Sequence, residues 1–159
     1  MINERDFPDT VRVLAVNHNH ILREGLRSFI EAQSRVQLTG SVADADSAVR
    51  LFEETRPDLT LVDLNLPSGR GIDVIRQIRQ IDAEAWIIGL VTYEWDDRGR
   101  EAVEAGAAAV LSKDLIGEKL VPMIRTGPQL SGSAEPVKKT LRRWRTFVRA
   151  ILLHNNSRA

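Results

Sequence analysis

The chain has no cysteine at all, one tyrosine, two methionines and three histidines. The missing cysteines exclude disulfides, thiolate zinc sites, redox thiols and cysteine nucleophiles together. Long apolar runs are missing too: none approaches the ~18 residues that a membrane-spanning helix requires. The first ten residues, MINERDFPDT, lack the apolar stretch of a secretory signal, so a cytoplasmic protein is expected. Net charge is also absent, with 22 Lys and Arg against 22 Asp and Glu. What remains is an ordinary globular composition, 43% apolar and 28% charged over 159 residues. That length accommodates one domain with an appendage.

The zero net charge averages two unlike parts. Residues 1–133 carry 15 basic and 21 acidic side chains, and residues 134–159 carry 7 basic and 1 acidic. A mildly acidic body is therefore followed by a strongly basic tail.

Along the body, short apolar runs alternate with helical periodicity. VRVLAV (11–16) reads as a strand, and after the polar tetrad Asn17-His18-Asn19-His20 the pattern changes period. Leu22, Leu26, Phe29 and Ile30 then recur at helical spacing, with charged residues opposite. VQLTGSV (36–42) predicts a second strand, and Asp44 caps the helix that carries Ala48, Leu51 and Phe52. That helix stops near Arg56, because Pro57 disfavours helical geometry in the residue before it. DLTLVDL (58–64) predicts strand three and NLPSGRG (65–71) a turn, followed by a helix marked by Ile72, Ile75, Ile78 and Ile81. AWIIGLVTY (85–93) predicts strand four, 95–105 a helix, and AAAVLS (107–112) a short fifth strand. Asp114 is the expected cap of a last helix through Leu115, Leu120, Met123 and Ile124.

Five strands alternating with five helices argue for an α/β domain with a doubly wound parallel sheet. In such folds ligands bind beyond the carboxyl ends of the strands. The polar residues expected there are Asn17 and His18 after strand one, Asp63 ending strand three, Thr92 ending strand four and Lys113 after strand five. An acid, a hydroxyl and an amine converging on one edge form a candidate site.

These positions carry a family resemblance. LVDLNLPSGRGIDVIRQIR, EAGAAAVLSKD and HILREGLRSFIEA, in register over roughly residues 10–126, resemble a bacterial two-component response-regulator receiver domain, most closely of the NarL/FixJ subfamily. The resemblance implies a flavodoxin-like (CheY-like) sheet of order 2-1-3-4-5. It also implies that Asp63 is the phosphoacceptor toward a histidine kinase, that Thr92 follows the phosphoryl oxygen, and that Lys113 pairs with the aspartyl group. A carboxylate nucleophile and a cation that offsets charge in an in-line transfer suit that chemistry.

Four positions depart from the family pattern. Asn17 and His18 stand where two acidic residues usually hold magnesium. Val110 stands at the switch position that is often Tyr or Phe, and Tyr93 is bulky where a small residue commonly follows the hydroxyl. Magnesium wants hard oxygen ligands, so it is expected to bind weakly if at all, and no other cofactor is implied. Three readings of His18 stand open: a neutral imidazole bonded at a strand end, an imidazolium pairing with Asp63, or a transition-metal ligand together with Asp63 and His20.

TGPQLSGSAEP, within 126–136, reads as a linker that closes the receiver domain (1–126). Residues 137–154 then predict one basic amphipathic helix, with Leu141, Trp144, Val148 and Ile151 on its apolar stripe. Full-length members of the subfamily carry a helix-turn-helix module here, for which this tail is too short. The chain is thus expected to be an atypical, stand-alone receiver: a non-enzymatic regulator that works through protein–protein contacts, as a homodimer or with a kinase or other signalling protein. A working phosphoacceptor and a DNA-associated regulator using the basic helix are the alternatives.

Overall fold

The computed structural model describes residues 10–127. Five strands, β1 (Val11–Val16), β2 (Val36–Val42), β3 (Leu59–Asp63), β4 (Ile87–Val91) and β5 (Ala109–Ser112), form one sheet in the order β2-β1-β3-β4-β5. Every pairing is parallel. The helices are α1 (His20–Glu31), α2 (Ala45–Thr55), α3 (Arg70–Ile81), α4 (Asp97–Ala105) and α5 (Ile116–Thr126). The expected α/β class and strand order are therefore what the chain adopts. The predicted helix over 137–154, with Leu141, Trp144, Val148 and Ile151, lies outside the described residues.

Alternation along the strands splits the core in two, as a sheet covered on both faces requires. Leu14, Val16, Val62, Ile87 and Val91 pack with Phe52 of α2, Ile75 and Ile78 of α3 and Ala102 of α4. Val13, Ala15, Leu59, Leu61, Ile88 and Leu90 pack with Leu26 and Ile30 of α1 and Leu120 and Ile124 of α5. The three central strands are apolar nearly throughout because both of their faces are buried.

Local chemistry sets the boundaries. Asp44 caps α2 as expected: its Oδ1 accepts the Ser47 N–H at 2.8 Å. The helix ends with Arg56 in left-handed geometry (φ 44°), outside the right-handed helical region that the following proline disfavours. Strand four is shorter than the predicted 85–93, because the chain turns after Val91 and the Asp96 N–H donates to the Tyr93 carbonyl at 3.1 Å. Asp96 itself then caps α4, which begins at Asp97 instead of 95. Strand five starts at Ala109, not 107, because Gly106 (φ 118°) and Ala107 close the end of α4, Ala107 donating to the Ala102 carbonyl. Asp114 does not cap α5. The chain enters a 3-10 turn at Lys113–Leu115, so Asp114 is already inside helical geometry and no side chain caps the helix that follows.

Candidate functional site

Strand pairing assembles the site. Val16 pairs with Val62 across β1 and β3, so Asn17 and Asp63 are the next residues at the carboxyl edge. Val91 pairs with Ser112 across β4 and β5, which brings Thr92 and Lys113 to that same edge. After Asp63 the backbone must turn sharply into α3, and Gly71 permits it. A Cβ on Gly71 would lie 2.6 Å from the Asp63 carbonyl oxygen, closer than any real contact.

Asp63 is fully buried. Its Oδ1 accepts the Asn65 backbone N–H at 2.9 Å and faces the Lys113 ammonium, also at 2.9 Å. Among the described residues its Oδ2 has no hydrogen-bond partner, and His18 Nδ1 lies 3.5 Å from it. The sequence-predicted acid and amine are thus in direct contact, and the histidine flanks the acid's other oxygen.

Asn17 is fully buried as well. Its Oδ1 accepts the Asn19 N–H at 2.8 Å, and its buried Nδ2 has no partner among the described residues. The unpaired end of this side chain is therefore a donor. Asn19 in turn caps α1, accepting the Leu22 N–H at 3.2 Å. Two residues the sequence reading missed complete the pocket. Arg23 donates to the carbonyls of Asn17 and His18, at 2.9 and 3.0 Å, and so clamps the loop that carries the histidine. Asn65 donates from Nδ2 to Thr92 Oγ1 at 2.7 Å, so the threonine hydroxyl is bonded to Asn65 and not to Asp63. The i,i+6 spacing of Arg23 from Asn17 carried no sequence signal, and Asn65 read only as a turn residue.

His20 opens α1 and is exposed. Among the described residues no cluster of three or more His, Cys, Asp or Glu could hold a metal ion, so the set His18, Asp63 and His20 is not brought together. Val110 on β5 is partly buried and packs on the α2–α3–α4 side of the sheet. α4 approaches it closely through Gly99, whose missing Cβ would lie 3.4 Å from Val110 Cγ1. Tyr93 is 55% exposed and stacks on Trp95, itself 80% exposed, with ring centroids 5.1 Å apart. At the rim, the Asp96 carboxyl is held below its ordinary range mainly by its hydrogen bond to the Arg98 side chain, with Lys113 adding to the effect. The Arg70 guanidinium does the same for Asp46, tying the start of α3 to the start of α2.

A doubly wound parallel sheet with one buried aspartate and one lysine paired at its carboxyl edge is the architecture of a signal-receiver domain. Residues 13–125 match the response regulator receiver domain family, and the chain belongs to it. The transcriptional regulatory protein YdfI of Bacillus subtilis is 37% identical over 109 residues, which cover 69% of this chain and 51% of YdfI. The transcriptional regulatory protein LiaR of the same organism is 33% identical over 115 residues, covering 72% and 54%. The chain thus spans about half the length of these relatives. Among solved structures, a LuxR-family two-component response regulator from Aurantimonas sp. SI85-9A1 is 32% identical with a TM-score of 0.69, covering 86% of this chain and 96% of that one. The response regulator domain of Thermotoga maritima CheB shares the fold, at a TM-score of 0.66 and 24% identity over 73% and 94% of the two chains. The chain is therefore a receiver domain of two-component signalling whose relatives are transcriptional regulators. Among the described residues no helix is long and apolar enough to cross a membrane.

Proposed function

We propose that this receiver regulates signalling or transcription through protein–protein contacts, and that its pocket is not built for magnesium-assisted phosphoryl transfer to Asp63. One observation carries the reading: the residues that follow β1 beside the buried aspartate are Asn17, whose buried amide N–H end has no partner among the described residues, and His18, with Nδ1 3.5 Å from Asp63 Oδ2. Magnesium demands near-octahedral oxygen ligands and usually carboxylates. Here one carboxylate is present, and one of its oxygens already faces Lys113 at 2.9 Å. The amide N–H and the imidazole are both wrong donors for a hard cation. Replacing a carboxylate about 4 Å from a divalent ion forfeits several kcal/mol even at an effective dielectric near ~20, and two positions are so replaced. The residues do not fit the ion.

In this reading the domain is a regulator and not an enzyme. Its partners are a histidine kinase or other signalling protein in the cytoplasm, and a second copy of the chain. The competing reading, an ordinary phosphoacceptor, draws on the Asp63–Lys113 pair and on Thr92 at the neighbouring strand end. Labelling with acetyl phosphate, followed by intact mass, separates the two. The proposal expects no magnesium-dependent adduct on the wild type and an adduct after Asn17→Asp with His18→Asp. Robust magnesium-dependent labelling of wild-type Asp63 overturns it.

A further inference from the structure

We propose that the aromatic pair Tyr93–Trp95, with the acidic outer face of α4, is the docking site for the chain's own basic segment 137–154. The loop before α4 exposes two stacked rings, Tyr93 at 55% and Trp95 at 80%, and Val103 on α4 is 39% exposed. Stacking the rings on each other hides one face of each and leaves the others in water, an arrangement that aromatic residues adopt where a partner supplies the missing contact.

Charge identifies the occupant. Residues 93–104 carry five carboxylates, Glu94, Asp96, Asp97, Glu101 and Glu104, against Arg98 and Arg100. Arg98 is already paired with Asp96 at 3.0 Å. Segment 137–154 has the opposite pattern: Lys138, Lys139, Arg142, Arg143, Arg145 and Arg149 with no acid, interleaved with Leu141, Trp144, Val148 and Ile151. An apolar stripe flanked by cations matches an aromatic platform flanked by carboxylates, and guanidinium groups sit well over exposed Trp and Tyr rings.

Reach allows the contact within one chain. α4 and α5 lie on opposite faces of the sheet, both beside the edge strand β5, which has no neighbouring strand on its outer side among the described residues. The ten residues 127–136 span at most about 33–36 Å when extended. A strand of four residues is about 13 Å long, so the linker can pass the open edge and bring the segment to α4.

The absence of cysteine makes the test clean. A nitroxide on Glu104→Cys of the full chain is expected to remove most of the Trp144 indole N–H signal, while one on Glu54→Cys, at the far end of α2, leaves it intact. Adding Trp95→Ser, or raising salt to 1 M where the screening length falls to about 3 Å, should restore the signal. Trp95 is exposed, so the variant keeps its fold. No loss from the Glu104 label, or equal loss from both labels, overturns the proposal. Loss seen only when spin-labelled and isotope-labelled chains are mixed also overturns it, because the segment then docks on a second copy.

Discussion

Removing the lysine and removing the aspartate from the central pair should have very unequal effects on stability. Lys113 Nζ lies 2.9 Å from Asp63 Oδ1, a gross attraction of about 6 kcal/mol at an effective dielectric near ~20. Desolvation offsets most of this while both partners are present. Taking away one partner exposes the penalty on the other, which for a fully buried pair is about 3–5 kcal/mol. Lys113→Met strands a carboxylate of zero exposure, with only the Asn65 N–H and the more distant His18 to support it. Because the lysine side chain is 19% exposed, the expected cost is somewhat lower, about 2–4 kcal/mol. Asp63→Asn instead strands an ammonium that can turn toward water, and the amide oxygen keeps the Asn65 N–H; its cost should stay within about 1 kcal/mol. The double variant should recover most of the loss. Urea unfolding reads this directly: with a slope near ~2 kcal/mol/M, Lys113→Met lowers the midpoint by about 1–2 M. If Asp63→Asn proves as destabilising as Lys113→Met, or if Lys113→Met moves the midpoint hardly at all, the pair is not the electrostatic centre of the pocket.

Gly71→Ala should destabilise the fold by at least about 1–3 kcal/mol, since its Cβ would fall 2.6 Å from the Asp63 carbonyl oxygen and 2.9 Å from Leu64 Cα. Thermal unfolding measures the loss, and Gly25→Ala, whose Cβ would meet nothing within 4 Å, is the control. Asp44→Ala should cost about 1 kcal/mol at neutral pH through the lost cap on α2, and Asp44→Asn much less. The Ser47 amide lowers the Asp44 pKa from 3.8, so its charge-linked stabilisation is present above that value and is lost as pH falls through the depressed one. Urea midpoints across the acid range should show the gap between wild type and Asp44→Asn closing there.

Much of this was legible in the sequence, and the failures have local causes. The apolar runs 11–16 and 36–42 match β1 and β2 residue for residue, because nothing at their ends competes with the sheet. The run ending at Tyr93 overshoots because the chain turns after Val91 and leaves Tyr93 exposed, and the run starting at Ala107 overshoots because Ala107 is buried at the close of α4 and not by strand pairing. Asp114 looked like a helix cap by residue type, but the cap depends on backbone geometry that the 3-10 turn pre-empts. In the pocket, the type and place of Asp63 and Lys113 could be read from motif register. The hydrogen bond from Asn65 to Thr92 could not, since it joins two loops that only the parallel pairing of β3 and β4 brings together.

The same contrast explains how this fold would tolerate the pocket that we propose. The fold rests on two apolar layers contributed by every strand and helix, so no single polar residue at the carboxyl edge decides it. Carboxylates crowded at one edge repel one another and add nothing to those layers; they are retained for the ion they hold. In the proposed reading Asn17 and His18 stand in the place of such carboxylates, and that repulsion is absent. The amide is then absorbed into the Asn19 turn, and the histidine loop is held by Arg23. Nothing in the packing resists such an exchange, whereas restoring two acids would place three carboxylates around one lysine. Asn17→Asp with His18→Asp should therefore lower stability in metal-free buffer, and added magnesium should raise the melting temperature of that variant and not of the wild type. An equal magnesium effect on both would mean that the wild-type pocket holds the ion after all.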